Sequence, residues 1–213
     1  MAARQYEEIT ILENPKNQNL SGKRHARLID ALFNIIEQKD IITASHCKRV
    51  AEYSAKLAKN LGIKPNQIRM IKDGARLHDI GKVMVDMSAL NKRGKLNDRE
   101  LLQVKSHPLQ GMRLLIAFRV PEEITDIAWH HHERWDGKGY PDGMKGEEIP
   151  YAIRIVSVCD VIDAMSSNRP YRHMLTEEQL IEQLQEASGT QLDPEITDVA
   201  IRMIEENKFG LYM

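Results

Sequence analysis

The feature that most limits what this chain can become is a helical rhythm of apolar residues with polar groups set into its inward side. From Thr43, the residues Val50, Tyr53, Ser54, Leu57 and Leu61 recur at helical spacing until Gly62 stops the run. Pro65 suits the first turn of a second helix that passes through Ile68, Ile71 and Ala75 to Leu77. Asn97 and Glu100 have the spacing of a capping box. Pro108 either breaks that helix or restarts it with a kink. Pro121-Glu122-Glu123 opens the helix that runs into His130-His131-His132. A long helix follows Ile149-Pro150 to about Ser166; another starts at Thr176-Glu177-Glu178, and the last at Asp193-Pro194-Glu195. The pattern predicts an all-α domain, a single bundle of roughly seven to nine helices. Only the first twelve residues, "YEEITIL" above all, hint at strand or linker, and residues 14–19 read as a polar break. Residues 1–20 are therefore expected to be an extension, able to join an upstream sensor or receiver domain, and residues 21–213 the folded domain.

The polar groups on the inward faces carry the chemistry. His46 lies four residues before Val50, on the apolar face of its helix. His78 continues Ile68, Ile71 and Ala75, and His131 follows Ile124, Ile127 and Ala128. Asp160 sits among Ile153, Val156 and Asp163 on an otherwise apolar helix. A buried carboxylate without a partner costs several kcal/mol or protonates, so something cationic must meet it. Singly, each residue has a plain explanation: a hydrogen-bonded core histidine, a polar helix end at Asp79, a cap at His107, a solvated end at His130–His132. Together the chain offers five inward imidazoles and two aspartates from different helices. Imidazole nitrogen with carboxylate oxygen is the ligand mix of Fe, Mn, Zn or Ni. Neighbours on a helix do not share a face, so His78-Asp79 and His131-His132 each reach two sites better than one. A carboxylate has two oxygens, so Asp79 can bridge a pair of ions about 3.5–4 Å apart.

Other classes are excluded or left without support. The net charge is -1, which gives no general pull toward nucleic acid or an anionic membrane. No apolar run approaches the ~20 residues of a membrane span, and the N-terminus has no signal-peptide core. Cys47 and Cys159 form no disulfide framework and read as core packing in a reducing, cytoplasmic compartment. The basic run over residues 91–95 reads as a solvated turn. Neither GxSxG nor GxxxxGK[ST] occurs.

The ordered set "LHDIGK" (77–82), "HP" (107–108), "HHERWDGKGYPDG" (131–143) and "RIVSVCDVIDAMSSNRPYR" (154–172) resembles the HD-GYP branch of the HD superfamily of metal-dependent phosphohydrolases. The resemblance runs from about Asp40 to Pro194. It implies a bacterial phosphodiesterase that hydrolyses cyclic di-GMP, with a binuclear metal site in the core of the bundle and Fe or Mn favoured over Zn or Ni. Carried over by position, one ion is held by His46, His78, Asp79 and Asp160, and the second by Asp79, His107, His131 and His132. Lys82 matches a lysine near the bridging water and the phosphate; Asp163 matches a residue that orients that water or protonates the leaving oxygen, unless it is a helix-surface carboxylate. Arg169 and Arg172 match positions that approach the substrate phosphates. His25, His130 and His173 match no ligand position.

Three of the remaining residues keep two readings each. Glu133 either fixes a ring tautomer or the loop, or makes a helix-end salt bridge. Tyr140 either stacks on a guanine or seats a protein partner, or simply packs the loop. Trp135 reads as core rather than as a stacking platform. The three-metal members of the family carry Glu where this chain has Ile42, so two ions and a first product pGpG are expected here. The alternatives are another HD-type nucleotide phosphohydrolase, or a regulatory module that docks a diguanylate cyclase through the Gly-Tyr-Pro loop. A homodimer is compatible with either.

Overall fold

The computed structural model describes residues 15–90, 92, 94–167 and 174–211, with side chains from residue 22 onward. Among the described residues there are ten α-helices and no strand; the one extended feature is a bridge between Ser188 and Leu192. The helices are α1 (Pro15–Lys39), α2 (Ile41–Asn60), α3 (Pro65–Leu77), α4 (Met87–Leu90), α5 (Asp98–Lys105), α6 (His107–Ala117), α7 (Glu122–His130), α8 (Tyr151–Ser166), α9 (Glu177–Ala187) and α10 (Pro194–Glu205). Two 3-10 turns, Ile80–Met84 and Gly146–Glu148, complete the regular structure.

The punctuation works as its chemistry requires. Asp40 caps α2 by accepting from Ile42 N–H at 2.9 Å. Asn97 and Glu100 make both bonds of the capping box that opens α5. Thr176 and Asp193 cap α9 and α10. Pro108 restarts the chain rather than ending it: α5 stops at Lys105, and α6 begins at His107 with the proline in its first turn, where no N–H is missed. The excess over the expected helix count lies in α4, a single turn, and in α1. Residues 15–20, inside the expected extension, are helical, because Pro15 at a helix start and the following Lys, Asn and Gln do not oppose a helix. The expected strand over residues 6–12 lies outside the described residues.

Ile29, Leu32, Phe33 and Ile36 recur at i, i+3, i+4 and i+7 on α1 and are each 1% exposed. They join Ala44, Cys47, Leu77, Leu115, Ile124 and Ala128 in one apolar cluster. A second cluster gathers Val50, Leu57, Ile71, Ile127 and the inward side of α8 to α10. Helices α2, α3 and α7 contribute to both clusters, and these three carry or precede His46, His78 and His131. Gly81 permits the closest approach in this region. A Cβ there would collide with the backbone at His107 O and Gly111 N, so only glycine lets the turn after Asp79 lie against the start of α6.

Candidate metal centre

The paired residues sit at helix ends, not within helices. α3 ends at Leu77 and α7 at His130, so His78-Asp79 and His131-His132 occupy the turns that follow. The expectation that neighbours diverge to two sites is not met: His78 and Asp79 fall in one donor set and His131 and His132 in the other, because each pair lies in the turn that follows a helix. His78, Asp79, His107 and His131 are all buried, at 1–3% exposure.

Asp79 lies between two groups of imidazoles. Its Oδ2 is 3.5 Å from His78 Nε2 and 3.9 Å from His46 Nε2; its Oδ1 is 3.2 Å from His107 Nε2 and 3.9 Å from His131 Nε2. Asp160 Oδ1 stands 3.1 Å from His46 Nε2. His107 Nε2 is 3.2 Å from His131 Nε2 and 3.3 Å from His132 Nε2. Two sets, His46-His78-Asp79 and His107-His131-His132, thus bring one donor atom each within 4.8 Å of one another.

Ring tautomers decide what those distances mean. His78 Nδ1 faces Ala75 O at 2.6 Å, His107 Nδ1 faces Val104 O at 2.6 Å, and His131 Nδ1 faces Ala128 O at 3.1 Å. A carbonyl only accepts, so each Nδ1 carries a proton, and a ring in its neutral form turns a bare Nε2 inward. Bare nitrogens at 3.2 Å cannot hydrogen-bond to each other. Two donors bound at ~2.1 Å to one ion, about 100° apart, would be separated by that distance. The donor set therefore fits a cation.

Electrostatics point the same way. Burial, and then the neighbouring imidazoles, hold His131 well below the usual histidine range; burial and His107 push His132 down to about 4. Both are neutral ligands near pH 7. At His46 burial opposes charge, but the Asp160 and Asp163 carboxylates outweigh it and raise the pKa to about 9, a corner that demands positive charge. Burial likewise works against the Asp79 carboxylate, yet its neighbours, the Lys82 ammonium foremost, hold its pKa well below the usual carboxylate range. Lys82 Nζ donates to Asp79 Oδ2 at 2.5 Å and stays cationic, because Asp79 offsets the cost of its burial.

The surrounding residues fall into place around this cluster. Asp163 is not a helix-surface carboxylate. It is 1% exposed, accepts from His46 Nδ1 at 2.7 Å, and takes a fork from Arg49, Nε at 2.5 Å and Nη2 at 3.0 Å. Sequence reasoning missed Arg49. The available signal was its spacing, three residues after His46, mirrored by Asp163 three residues after Asp160. Glu133 makes no helix-end salt bridge among the described residues; its buried Oε1 accepts from the backbone N–H of Asp142 and Gly143, at 2.7 and 3.0 Å, and so pins the Gly-Tyr-Pro loop. Gly139 lets that loop fold back, since a Cβ there would strike Arg134 N and the Glu133 backbone. Tyr140 stacks on His132 with ring centroids 4.9 Å apart, and the Tyr140–Pro141 peptide is cis. Trp135 is only half-buried, with the Arg154 guanidinium 5.5 Å from its ring centroid, so it is not a core tryptophan. Cys47 and Cys159 are fully buried, as expected. His25 and His130 pair instead with Asp73 and Asp142. Arg169, Arg172 and His173 lie outside the described residues.

No helix among the described residues is long and apolar enough to cross a membrane. The cyclic di-GMP phosphodiesterase response regulator RpfG of Xanthomonas campestris is 37% identical over 188 residues, 87% of this chain and 50% of that protein. The 3'3'-cGAMP-specific phosphodiesterase 2 of Vibrio cholerae is 35% identical over 181 residues, 84% of this chain and 35% of that protein. The chain thus spans between 35% and 50% of the length of these relatives. Its fold is similar to that of the HD domain of the L. monocytogenes phosphodiesterase PgpH solved with cyclic-di-AMP, with a TM-score of 0.61 and 18% identity over 85% of this chain and 97% of that one. The family described as HD domain matches residues 30–196. The histidines and aspartates gathered by α2, α3, α6, α7 and α8 all fall within that match, and the chain belongs to the HD domain family, in its HD-GYP branch.

Proposed function

We propose that this chain is a metal-dependent phosphodiesterase that opens a cyclic dinucleotide, with cyclic di-GMP as substrate and linear pGpG as first product. One observation carries the reading: bare imidazole nitrogens 3.2 Å apart, with Asp79 presenting one oxygen to each histidine group. The printed activities of the relatives, on cyclic di-GMP and on 3'3'-cGAMP, support the substrate class. His46, His78, Asp79 and Asp160 would hold one ion, and Asp79, His107, His131 and His132 the other, with Fe or Mn the matching metals. Such ions supply Lewis-acid stabilisation of phosphoryl charge and a water that ionises near neutral pH.

The chain's own residues set up that chemistry. Asp79 stays ionised at the centre because Lys82 sits on its Oδ2. The ammonium group of Lys82 has further N–H donors for a phosphoryl oxygen where negative charge builds. Asp163 acts as a positioning residue rather than orienting the water or protonating the leaving oxygen, because both its oxygens are engaged by His46 and Arg49. Tyr140 holds the His132 ring by stacking. Arg169 and Arg172 remain the candidates for phosphate contact. Ile42, one helical turn before His46, offers no donor atom to a third ion, so cleavage pauses after one bond. Residues before α1 would connect the unit to a sensor or receiver domain.

The test is turnover by the purified chain, kept anaerobic and loaded with Fe(II) or Mn(II), on cyclic di-GMP and on 3'3'-cGAMP, with products separated by chromatography. We expect pGpG to accumulate before any GMP. A fully loaded protein inert toward both substrates would overturn the reading.

A further inference from the structure

A cavity of about 260 Å³ opens beside the cluster, lined by His131, His132 and Asp160 together with Lys105, Lys138 and Tyr140. Lys105 ends α5, where a cation is favoured at the negative end of the helix. Its Nζ lies 5.5 Å from the centroid of Tyr140, whose ring stacks on His132. A line of contacts therefore runs from an exposed ammonium, through one aromatic ring, to an imidazole of the candidate metal centre. Lys138 reaches the same cavity from the Gly-Tyr-Pro loop, where its backbone N–H bonds to Asp136 Oδ1 at 3.1 Å.

These two cations differ from their neighbour Arg134. Arg134 also lines the cavity, but its Nε and Nη2 are committed to Asp136 at 3.1 and 2.9 Å. Neither the Lys105 nor the Lys138 ammonium makes a salt bridge among the described residues, although the Lys138 charge is felt at Asp136. Two ammonium groups without a salt bridge thus line a cavity that also takes in His131, His132 and Asp160 of the candidate metal centre. A ligand with one negative group would be satisfied by that centre alone. The second set of cations fits a ligand with a second negative group set apart from the first.

We infer that Lys105 and Lys138 form a second anion subsite, which takes the non-scissile phosphate of a cyclic dinucleotide while the other phosphate lies at the metal centre. The inference rests on the proposed cyclic dinucleotide activity. It also gives Tyr140 a different task from the expected base platform: one face of its ring is already covered by His132, and the ring holds Lys105 beside the site.

The experiment compares two substrates in the metal-loaded protein: cyclic di-GMP, with two phosphates, and bis(p-nitrophenyl) phosphate, with one. The variants are Lys105→Met, Lys138→Met and both together, with exposed Lys59→Met, outside the cavity, as control. Each charge-assisted phosphate contact is worth about tenfold in binding. We expect the double variant to raise KM for cyclic di-GMP about tenfold or more, with metal content unchanged. The loss on the single-phosphate ester should be several times smaller. The rise of KM with salt should be steeper in the parent protein than in the double variant. Equal losses on the two substrates, or an unchanged KM for cyclic di-GMP in the double variant, would overturn the subsite. A parent protein that cleaves bis(p-nitrophenyl) phosphate but no cyclic dinucleotide would overturn the functional reading first.

Discussion

Asp163→Asn separates a ligand's position from its identity. Asp163 Oδ2 accepts from His46 Nδ1 at 2.7 Å, while both oxygens receive the Arg49 fork. Asparagine has nearly the same shape but one acceptor oxygen. If that oxygen serves His46, the amide N–H₂ faces the Arg49 guanidinium; if it serves Arg49, His46 loses the acceptor that fixes its tautomer. Partners of this kind behind a metal-bound histidine are worth about 10–100-fold in metal affinity, which is ~1.4–2.7 kcal/mol. The whole loss should fall on the ion beside His46, because His107, His131 and His132 are anchored by backbone carbonyls and by Tyr140. Arg49→Ala should cost less, about threefold, since the Arg49 side chain is 40% exposed and its charge is partly screened. Calorimetric titration of anaerobic protein with Mn(II), with elemental analysis at the end point, reads two constants. Only one should move. If neither moves in Asp163→Asn, or both move together, the positioning argument fails.

Other outcomes follow from the same geometry. Asp79→Ala should lose both ions by elemental analysis, whereas His107→Ala should mainly weaken one; full metal in Asp79→Ala would disprove the bridge. Gly81→Ala should lower stability by about 3 kcal/mol or more, read in a denaturant melt, because the added carbon meets backbone that cannot swing away. Chelation should lower Tm, since a ligand bound only by the folded state stabilises it by mass action; an unchanged Tm after verified metal loss would contradict the buried donor set. Arg172→Ala should raise KM or lower kcat at constant metal content.

Much of this arrangement was legible because it is written in local chemistry. Caps at Asn97, Thr176 and Asp193 mark helix starts by hydrogen bonds that involve only neighbours, and Pro65 and Pro194 mark them by a fixed φ and a missing N–H. The inward histidines betrayed themselves by sharing spacing with isoleucines. The less legible parts depend on distant partners. Arg49 and Asp163 are 114 residues apart, and their fork exists only after α2 and α8 pack. Gly139 is required by the Glu133 backbone lying against it, a contact that only the folded loop reveals. Trp135 looked like core, yet the Arg154 guanidinium, 19 positions further on, covers its ring and leaves it half-buried. The polar start of α1 misled because polarity alone does not oppose a helix.

The rings of His78, His107 and His131 each donate Nδ1–H to the carbonyl three residues earlier, in the last turns of α3, α5 and α7. Those carbonyls belong to the group a helix leaves without an internal partner. Each imidazole can therefore serve at once as a helix terminator and as a metal donor, and the two tasks share one ring orientation. An ion drawing on Nε2 locks the ring, and the locked ring holds the last helical turn closed. Releasing both ions would free all three turns to fray together, so amide hydrogen exchange should quicken at the ends of α3, α5 and α7 while α9 and α10 keep their protection. Metal occupancy would then be written into the local breathing of the backbone.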